Sequence, residues 1–442
     1  MTIKAADTKA INKVAFTALI GTSVEWYDFV LYGTAAALVF PKLFFPAGLS
    51  PLIGLLASLS TFAVGFLARP LGGIIFGHYG DKVGRKKVLV IALILMGSGT
   101  TLIGLLPTYA MAGPIAPLLL ITLRIVQGLA FGGQWGGAVL LVTETAPAGR
   151  RGFYGSFAQA GVCIGVVVAN LLFLLISSNL SDDVFMTWGW RVPFLLSVVL
   201  IGVALFVQVH LEDTPAFRQL AEIKKNMDAE QGLRTRAARR PAFEAIATYP
   251  KEIALAAGAF IAASMAFYIL ITFTVAYGTA QLGIERNTML NAVMISAVVM
   301  FPVLLICAHI SDKWGRKGIY GAGAVLLGVW SFALFPLIQT KDFLWITVAI
   351  SVGQIGVAMM YGPQAAFLSE TFSTKVRYSG ASLGYQIGAV LGGALAPLIA
   401  TALLAQFEDI FAVSVYMATI CVITVICTLL LKETYKRDLH AV

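Results

Sequence analysis

The sequence predicts an all-α membrane protein in which twelve transmembrane helices form two similar six-helix bundles. Hydrophobic residues make up 59% of the 442 residues and charged residues only 12%, which leaves too little polar surface to cover a water-soluble globule of this length. Twelve apolar runs each approach or exceed the roughly 20 residues that a helix needs to cross a bilayer. A charged segment between two of these runs also recurs in the second half of the chain.

The chain begins with a polar, basic segment up to Lys13 that lacks the apolar core and cleavage site of a signal peptide, so we expect it to remain as a cytoplasmic tail. A long polar stretch of mixed charge separates the sixth apolar run from the seventh. It divides the chain into an N-terminal bundle at 1–210, a cytoplasmic linker at 211–250 and a C-terminal bundle at 251–442. The predicted spans are residues 15–41, 52–76, 88–107, 114–143, 153–178, 189–210, 252–278, 289–311, 318–339, 343–369, 379–405 and 409–431.

The Lys and Arg residues predict the orientation of these spans, because short cytoplasmic loops retain positive charge. With the N-terminus inside, 25 of the 31 Lys and Arg residues fall in cytoplasmic loops and tails, and only Lys42, Arg286 and Lys341 fall outside. Both chain ends are therefore expected in the cytoplasm, in a multi-pass protein of the plasma membrane. Because the basic residues are spread over short loops, the net charge of +9 does not indicate nucleic acid binding.

The recurring charged segment lies between the second and third runs and again between the eighth and ninth. Asp312 follows Asp81 by 231 residues, and Arg316 follows Arg85 by the same interval. A repeat of this length is too long for a solenoid unit. It suits the duplicated halves of a membrane transporter, which are related by an axis along the membrane normal.

Several motifs indicate a family. The two similar halves, the long central loop and the repeated Asp-Lys-x-Gly-Arg-Lys at 81–86 and 312–317 resemble the major facilitator superfamily. Four further segments are similar to its metabolite:proton symporter branch, namely Glu-Trp-Tyr-Asp-Phe at 25–29, Ala-Arg-Pro-Leu-Gly-Gly at 68–73, Arg-Ile-Val-Gln-Gly at 124–128 and Trp-Gly-Trp-Arg-Val-Pro-Phe at 188–194. The resemblance implies the major facilitator fold in a bacterial inner membrane. It also implies proton-coupled import, by alternating access, of a small organic acid such as shikimate, citrate or 2-oxoglutarate, or of a zwitterionic osmolyte such as proline or betaine.

The sequence departs from that branch at Gln134, where the branch usually has a glutamate, so any coupling role of that carboxylate is lost or was never essential. Osmolyte carriers of the branch often have an extended C-terminal coiled coil, whereas this sequence ends eleven residues after Leu431, which favours an organic acid. A drug/proton antiporter is less well supported, because the fifth run lacks the Gly-Pro pair of antiporters.

Four charged residues lie deep within the apolar runs, away from their ends, where such groups are costly and usually mark an ion or substrate path. Glu25 and Asp28 are three residues apart and share a helix face, so they can pair with Arg69 and Arg124 near the mid-depth of the first half. A purely structural role for such pairs is equally consistent with the sequence. We expect Asp28 to carry the proton, with Glu25 as the second candidate. We expect Arg124 either to release the proton from this carboxyl or to bind a substrate carboxylate.

The second half has polar but uncharged side chains at the corresponding depth. In transmembrane helices such side chains are as often hydrogen-bonded to a neighbouring helix as they are bound to a ligand. The predicted substrate-binding residues are Arg124, Tyr32, Gln127, Gln159, Asn170, Tyr268, Gln354, Tyr361, Gln364, Tyr385 and Gln386.

The repeated acidic residues predict a gate. If the halves pack face to face, Asp312 lies near the start of the fifth helix, around Phe153, and Asp81 lies near the start of the eleventh, so each carboxylate faces the positive end of a helix dipole. These contacts would close the cytoplasmic side, while Gly77 and Gly84 would permit a tight turn. The alternative, that the basic residues only set the topology, leaves the two Asp residues unexplained. The predicted gating residues are Gly77, Asp81, Gly84, Arg85, Asp312, Arg316, Arg151 and Arg377.

The remaining residues do not indicate an enzyme, a metal site or a cofactor. The four cysteines lie in apolar runs without a partner at metal-ligand spacing, and the four histidines fall at cytoplasmic corners, at the linker and in the tail. A channel would need a pore-lining set repeated across equivalent units. We therefore expect a monomeric transporter that has no cofactor and interacts with protons, a small-molecule substrate and the lipid bilayer.

Overall fold

The computed structural model describes residues 8–83, 85–132, 135–147, 149–212, 246–373 and 377–436. These residues are helical apart from short connections, contain no β-strand, and form long helices that follow the predicted spans. The long helices are α1 (Thr8–Leu38), α2 (Pro51–Val83), α3 (Arg85–Leu105), α4 (Ile115–Gly132 continued by Trp135–Thr145), α5 (Arg151–Asn179), α6 (Arg191–Glu212), α7 (Pro250–Ala280), α8 (Arg286–Trp314), α9 (Arg316–Gln339), α10 (Phe343–Thr371), α11 (Arg377–Gly388 continued by Ala389–Ala394 and Ala396–Phe407) and α12 (Phe411–Leu430). Within α7, residues Ile269–Phe273 are a π-helical segment, as are Ala389–Ala394 within α11.

The outer surface of these helices is apolar. Ten described helices are long and apolar enough to cross a bilayer, and Val90–Leu105 is a shorter apolar helix. Large side chains such as Leu118, Val298, Val329 and Leu429 are each at least 60% exposed. A continuous apolar exterior suits lipid, since a soluble protein rarely exposes large apolar patches to water. The prediction of an all-α, multi-pass membrane protein is confirmed.

The same helix pairings occur twice. In the first half α1 packs along α5, α2 along α4 and α3 along α6, and in the second half α7 packs along α11, α8 along α10 and α9 along α12. The second set is the first set shifted by six helices, as the sequence repeat predicted. The halves contact each other mainly through α5 against α8 and through α2 against α11.

Glycines allow α2 and α4 to approach closely. A β-carbon at Gly132 would meet the carbonyl oxygen of Arg69, and one at Gly128 would meet the carbonyl oxygen of Gly65. Small residues at a helix interface allow two backbones to come together in a membrane, where packing drives helix association. This contact sets the relative positions of Arg69 on α2 and Arg124 on α4.

The connection after α2 differs from its prediction. Gly77 lies inside α2, which remains helical to Val83, so the predicted turn at Gly77 is wrong. The polar residues that follow Gly77 continue the helix because helical hydrogen bonds satisfy their backbone groups as the chain leaves the apolar layer. In the second half the turn is at Gly315, whose φ of +104° favours glycine. Its counterpart Gly84 lies outside the described residues.

Other predicted features also lie outside the described residues. They are Gln134, most of the predicted linker (213–245), and the side chains of Asp81 and Arg85. Both ends of the described chain lie on one face of the bundles, which also contains the start of α5 and the end of α8 and is called the terminal face below. The opposite face contains the end of α5 and the start of α8.

Candidate functional site

Four ionisable side chains lie inside the N-terminal half, as the sequence predicted. Asp28 on α1, Arg69 on α2 and Arg124 on α4 are each no more than 2% exposed, and Glu25 is partly buried. No ion pair joins any two of these described residues. The suggested ion pairs are absent from this conformation, in which the guanidiniums contact aromatic rings and Gln127.

Arg124 is held by a chain of hydrogen bonds and an aromatic ring. Its Nη1 donates to Oε1 of Gln127 at 3.0 Å, and Nε2 of Gln127 donates to Oγ1 of Thr100 on α3 at 2.6 Å. The guanidinium carbon lies 3.6 Å from the centre of the Tyr32 ring, and the Tyr32 hydroxyl shares a hydrogen bond of 2.6 Å with Thr61. These contacts fix Arg124 between α1, α2 and α3.

Arg69 is surrounded by aromatic faces. Its guanidinium carbon lies 3.7 Å from the ring centre of Phe66, 4.1 Å from that of Phe29 and 4.2 Å from that of Phe131. Cation–π contacts of this kind contribute about 2 kcal/mol or more when they are desolvated. They provide no hydrogen-bond acceptor, and Nε and Nη2 of Arg69 have no hydrogen-bond partner in the described part of the chain.

The two carboxyls of α1 lie in different surroundings. Both oxygens of Asp28 are buried and lack a hydrogen-bond partner among the described residues, although the hydroxyls of Thr100 and Ser197 lie nearby. Glu25, one turn earlier, lies within Coulombic range of Tyr385 of the C-terminal half. Asp28 thus faces the interior of its own half, whereas Glu25 lies near the boundary between the halves.

A small cavity lies at that boundary. Its volume is about 10 Å³, which is room for about one water molecule, so the halves enclose no space for a metabolite here. The hydroxyls of Tyr361 and Tyr385 are 3.5 Å apart, and Phe260 stacks on Tyr385 with 4.5 Å between ring centres. The cavity is lined by Trp26, Phe66, Arg69, Phe260, Ser264, Phe267, Tyr268, Tyr361, Tyr385 and Ala389.

The other predicted substrate-binding residues lie away from this cavity lining. Gln159 of α5 donates to Gln364 of α10 across the two halves at 3.4 Å. Asn170 is hydrogen-bonded within the N-terminal half, to α1 and to its own helix, and so contributes to helix packing. The side-chain oxygens of Gln354 and Gln386 are buried and have no partner among the residues that the structure describes.

Asp312 joins the two halves at the terminal face. Its Oδ1 accepts from the backbone N–H of Gly152 at 2.8 Å and its Oδ2 from that of Phe153 at 2.9 Å, both in the first turn of α5. The N-terminal N–H groups of a helix lack acceptors within the helix, so a carboxylate there is favourable. The predicted proximity of Asp312 to the start of the fifth helix is confirmed.

A buried charge network continues from Asp312 into the C-terminal half. Arg316 donates to Asp312 at 2.7 Å and to both oxygens of Glu370, at 3.1 Å and 3.3 Å. The side chains of this network are 1% exposed. The hydroxyl of Thr434, beyond the end of α12, also donates to Glu370 at 2.8 Å. Buried ion pairs of this kind are tolerated when further hydrogen bonds satisfy the remaining oxygens.

Glu433 caps the start of α9 from the segment after α12. Its carboxylate accepts from the backbone N–H of Arg316 at 2.9 Å and of Lys317 at 3.1 Å. Partial burial by itself raises the pKa of Glu433, but backbone N–H donors, including those of Thr434 and Tyr435, outweigh it and hold the pKa below its ordinary value.

Other contacts join the halves at both faces. At the terminal face Arg377 of α11 contacts Glu144 of α4 at 3.4 Å, and the predicted gating residue Arg151 is buried at the start of α5. At the opposite face Arg286 pairs with Asp182 at 3.0 Å, and the Asp182 side chain is 85% exposed. The described residues of the two halves thus contact each other at both faces, with a cavity of about 10 Å³ between them, as in an occluded conformation.

A model of the Major Facilitator Superfamily matches residues 18–385 of the chain. The chain belongs to the major facilitator superfamily. The transporter is 40% identical over 434 residues to the "Inner membrane metabolite transport protein YhjE" of Escherichia coli (strain K12), which covers 97% of this chain and 96% of that protein. It is 37% identical to the "Shikimate transporter" of the same strain, over 96% of this chain and 95% of that one. It is 33% identical to that strain's "Proline/betaine transporter", over 98% and 86% of the two chains.

Solved structures agree with this assignment at the level of the fold. The transporter superposes on the xylose transporter XylE from E. coli, in a partially occluded inward-open conformation, with a TM-score of 0.74 and 18% identity, over 98% of this chain and 100% of that one. The predicted family and fold are confirmed. The prediction of a transporter that is not an enzyme is confirmed by the family.

Sequence reasoning missed the aromatic side chains around Arg69. Phe66 precedes Arg69 by three residues and so shares its helix face, a spacing that could have suggested the contact. Phe29 and Phe131 come from two other helices, so only their packing reveals them. Glu433 was also missed, because a charge in a polar tail has no periodic pattern that indicates its partner.

Proposed function

We propose that the transporter is a proton-coupled symporter that imports a small organic acid across the bacterial inner membrane by alternating access. One observation carries the proposal: two carboxyls and two guanidiniums lie within one half, beside a cavity that both halves line. Ionisable groups at this depth in a membrane protein mark ion and substrate paths. The names of two relatives, a shikimate transporter and a metabolite transport protein, support the same substrate class.

Asp28 is the proposed carrier of the proton, and Glu25 is the group through which the proton reaches it. A carboxylate that is buried without hydrogen-bond partners keeps its charge only at a cost of several kcal/mol. Uptake of a proton removes this cost and changes the charge at the centre of the N-terminal half. Glu25 is partly exposed and lies one helical turn from Asp28, which suits a relay between the cavity and the carrier.

The substrate carboxylate is proposed to bind a buried guanidinium. Arginine presents parallel N–H donors that match the two oxygens of a carboxylate, and both Arg69 and Arg124 are buried at the required depth. The C-terminal half supplies uncharged partners for the rest of the substrate, of which Tyr268, Tyr361 and Tyr385 line the cavity. Under this proposal the first half holds the ionic groups and the second half contributes to the shape of the site.

The terminal face is proposed to be cytoplasmic and to be closed by Asp312. This face would hold most of the Lys and Arg residues, as cytoplasmic loops do. When the halves separate here, Asp312 loses the two N–H donors at Gly152 and Phe153, while Arg316 and Glu370 stay together within the C-terminal half. The gate thus opens by breaking contacts at one corner and leaves the rest of the charge network intact.

Uptake into liposomes tests the symport proposal. Purified transporter is reconstituted, the outside is made one pH unit more acidic than the inside, and radiolabelled shikimate, citrate and 2-oxoglutarate are offered in turn. With one proton per electroneutral transport step, one pH unit corresponds to about 1.4 kcal/mol and sustains about 10-fold accumulation of the substrate. A protonophore should abolish this accumulation. Gradient-independent equilibration of every acid would contradict symport.

An Asp28→Asn variant tests the proton carrier. We expect it to lose accumulation but to retain exchange of labelled for unlabelled substrate, because exchange needs the binding site and not proton release. The matched control is Asp183→Asn, which removes an exposed carboxyl at the opposite face and should accumulate substrate as the wild type does. A normal pH dependence of accumulation in Asp28→Asn would exclude Asp28 as the carrier.

Uptake of a zwitterionic osmolyte is a second candidate function. The aromatic lining of the cavity favours it, since quaternary ammonium groups bind to the faces of Trp, Tyr and Phe rings. A relative named as a proline/betaine transporter supports it as well. Glycine betaine in the same liposome assay distinguishes the two candidate functions. An osmolyte carrier would accumulate glycine betaine and exclude the organic acids, whereas an organic acid carrier would do the reverse.

A further inference from the structure

The two buried guanidiniums differ in how they are held. Arg124 is hydrogen-bonded to Gln127 and stacked on Tyr32, and both partners belong to its own half. Arg69 contacts aromatic faces, and its Nε and Nη2, like those of Arg124, lack a hydrogen-bond partner among the described residues. Leaving a buried charged donor without an acceptor costs several kcal/mol. In this conformation, the contacts that offset this cost for Arg69 are its cation–π contacts with Phe29, Phe66 and Phe131.

The unpaired Arg69 lies where a ligand would have to bind. It lines the cavity between the halves, whereas Arg124 is not part of that lining. The hydroxyl of Tyr268, from the C-terminal half, belongs to a residue that lines the same cavity, and it has no hydrogen-bond partner in the described chain. Two unpaired buried donors from opposite halves therefore border one space, which is the arrangement that a carboxylate would satisfy.

We propose that Arg69, together with the hydroxyl of Tyr268, binds the substrate carboxylate, and that the substrate is a monocarboxylate whose compact body packs against the aromatic faces of the cavity. The proposal rests on the proposed function, since it names the substrate class and its anchor in the same site. Arg124 then acts as a positioning residue that holds α1, α2 and α3 around the proton carrier.

The charge of the cavity lining limits the substrate to one carboxylate. Within the described residues that line it, Arg69 is the one side chain that is charged at neutral pH, and the others are aromatic, Ser264 and Ala389. A second or third carboxylate, as in 2-oxoglutarate or citrate, would find no other cationic side chain in this lining, and an unpaired buried carboxylate costs several kcal/mol. A ring-shaped monocarboxylate and a methylated zwitterion share the single carboxylate and a compact body that suits aromatic faces.

Two irregular helix segments border the cavity. The π-helical segment of α7 begins directly after Tyr268, and that of α11 begins at the lining residue Ala389. A β-carbon at Gly393, in the α11 segment, would come within 2.8 Å of the Tyr268 ring. Single-turn π-helical insertions frequently occur at functional sites. Their position allows α7 and α11 to shift locally when the cavity opens to receive a ligand.

Binding to the detergent-purified full chain, without any proton gradient, tests this proposal. The probes are shikimate, glycine betaine and citrate, measured by calorimetry with thermal stabilisation as a second readout. We expect one of the two monocarboxylates to bind and citrate not to bind. Arg69→Lys should weaken that binding about 10-fold or more through loss of the paired donors. The matched control Arg150→Lys, an exposed site at the terminal face, should bind as the wild type does.

Tyr268→Phe keeps the ring and removes the hydroxyl, so it decides the question if Arg69→Lys does not fold. We expect it to weaken binding about 5-fold. Three results would each overturn the proposal. They are wild-type affinity in a folded Arg69→Lys or Tyr268→Phe variant, tight binding of citrate, and no binding of either monocarboxylate. This binding assay uses no proton gradient. A failure of proton-driven accumulation in the liposome assay would therefore disprove symport without affecting the assignment of Arg69. Binding of shikimate or of betaine distinguishes the organic acid from the osmolyte.

Discussion

Replacement of Asp312 by Asn should open the terminal face, and the structure gives the size of the effect. The carboxylate accepts two N–H bonds from α5 across the halves, at 2.8 Å and 2.9 Å. Hydrogen bonds to a charged group contribute about 1.5 kcal/mol each at the low end of their range, or about 3 kcal/mol for both. An Asn oxygen retains at most one neutral bond of about 1 kcal/mol, so the closed state should lose about 2 kcal/mol relative to the open state. The ratio of closed to open molecules should fall about 30-fold.

Spin labels at Arg150 and Trp314 measure this change. Both residues are exposed, one before α5 and the other at the end of α8, so double electron–electron resonance between them reports the separation of the halves at the terminal face. The matched control is Asp182→Asn, which changes an ion pair between the halves at the opposite face. Its Asp is 85% exposed, so the pair should contribute less than about 1 kcal/mol and leave the distances unchanged. An unaltered distance distribution in folded Asp312→Asn protein would refute this reasoning.

Two further predictions concern stability in detergent. Glu433→Gln should lower the melting temperature at neutral pH, since a lost helix cap costs about 1 kcal/mol. Because the pKa of Glu433 is lowered on folding, its contribution is complete above the unfolded value of 4.5 and is lost as the pH falls through the lower folded value. The melting temperatures of wild type and variant should therefore converge below pH 4.5, and a difference that persists in acid would contradict the capping role. Gly132→Ala should destabilise the fold by about 1–3 kcal/mol, because its β-carbon meets the Arg69 carbonyl oxygen, whereas Gly202→Ala, with open space around it, should not. Equal melting temperatures of these two variants would refute the close-packing argument.

The sequence predicted the fold and the position of Asp312 because both depend on long, regular patterns. Twelve apolar runs determine the spans, and the 231-residue repeat pairs the helices of one half with those of the other. Face-to-face packing of two such halves then puts Asp312 at the start of α5, where the structure has it. The turn at Gly77 was wrong because polar residues were taken to end a helix that continues to Val83.

The contacts of the buried charges could not be predicted in the same way. Sequence spacing gives the depth of Glu25, Asp28, Arg69 and Arg124, and shows which of them share a helix, but the rotation of each helix about its axis depends on packing with its neighbours. Close approach of α2 and α4 turns Arg69 towards aromatic rings from three helices and not towards a carboxylate. Opposite charges at equal depth therefore do not establish an ion pair.

The contacts that join the halves are screened unequally by dissolved ions. At the terminal face the carboxylate of Asp312, which accepts from two N–H groups of α5, is 1% exposed, so counterions cannot surround it. At the opposite face the pair of Asp182 and Arg286 meets the medium, where the Debye length falls to about 3 Å at 1 M salt. In the proposed orientation, high external salinity weakens the periplasmic ion pair more than the buried contact of Asp312 at the cytoplasmic face. Because the exposed pair contributes less than about 1 kcal/mol, external salt changes the balance between the two faces by no more than that amount.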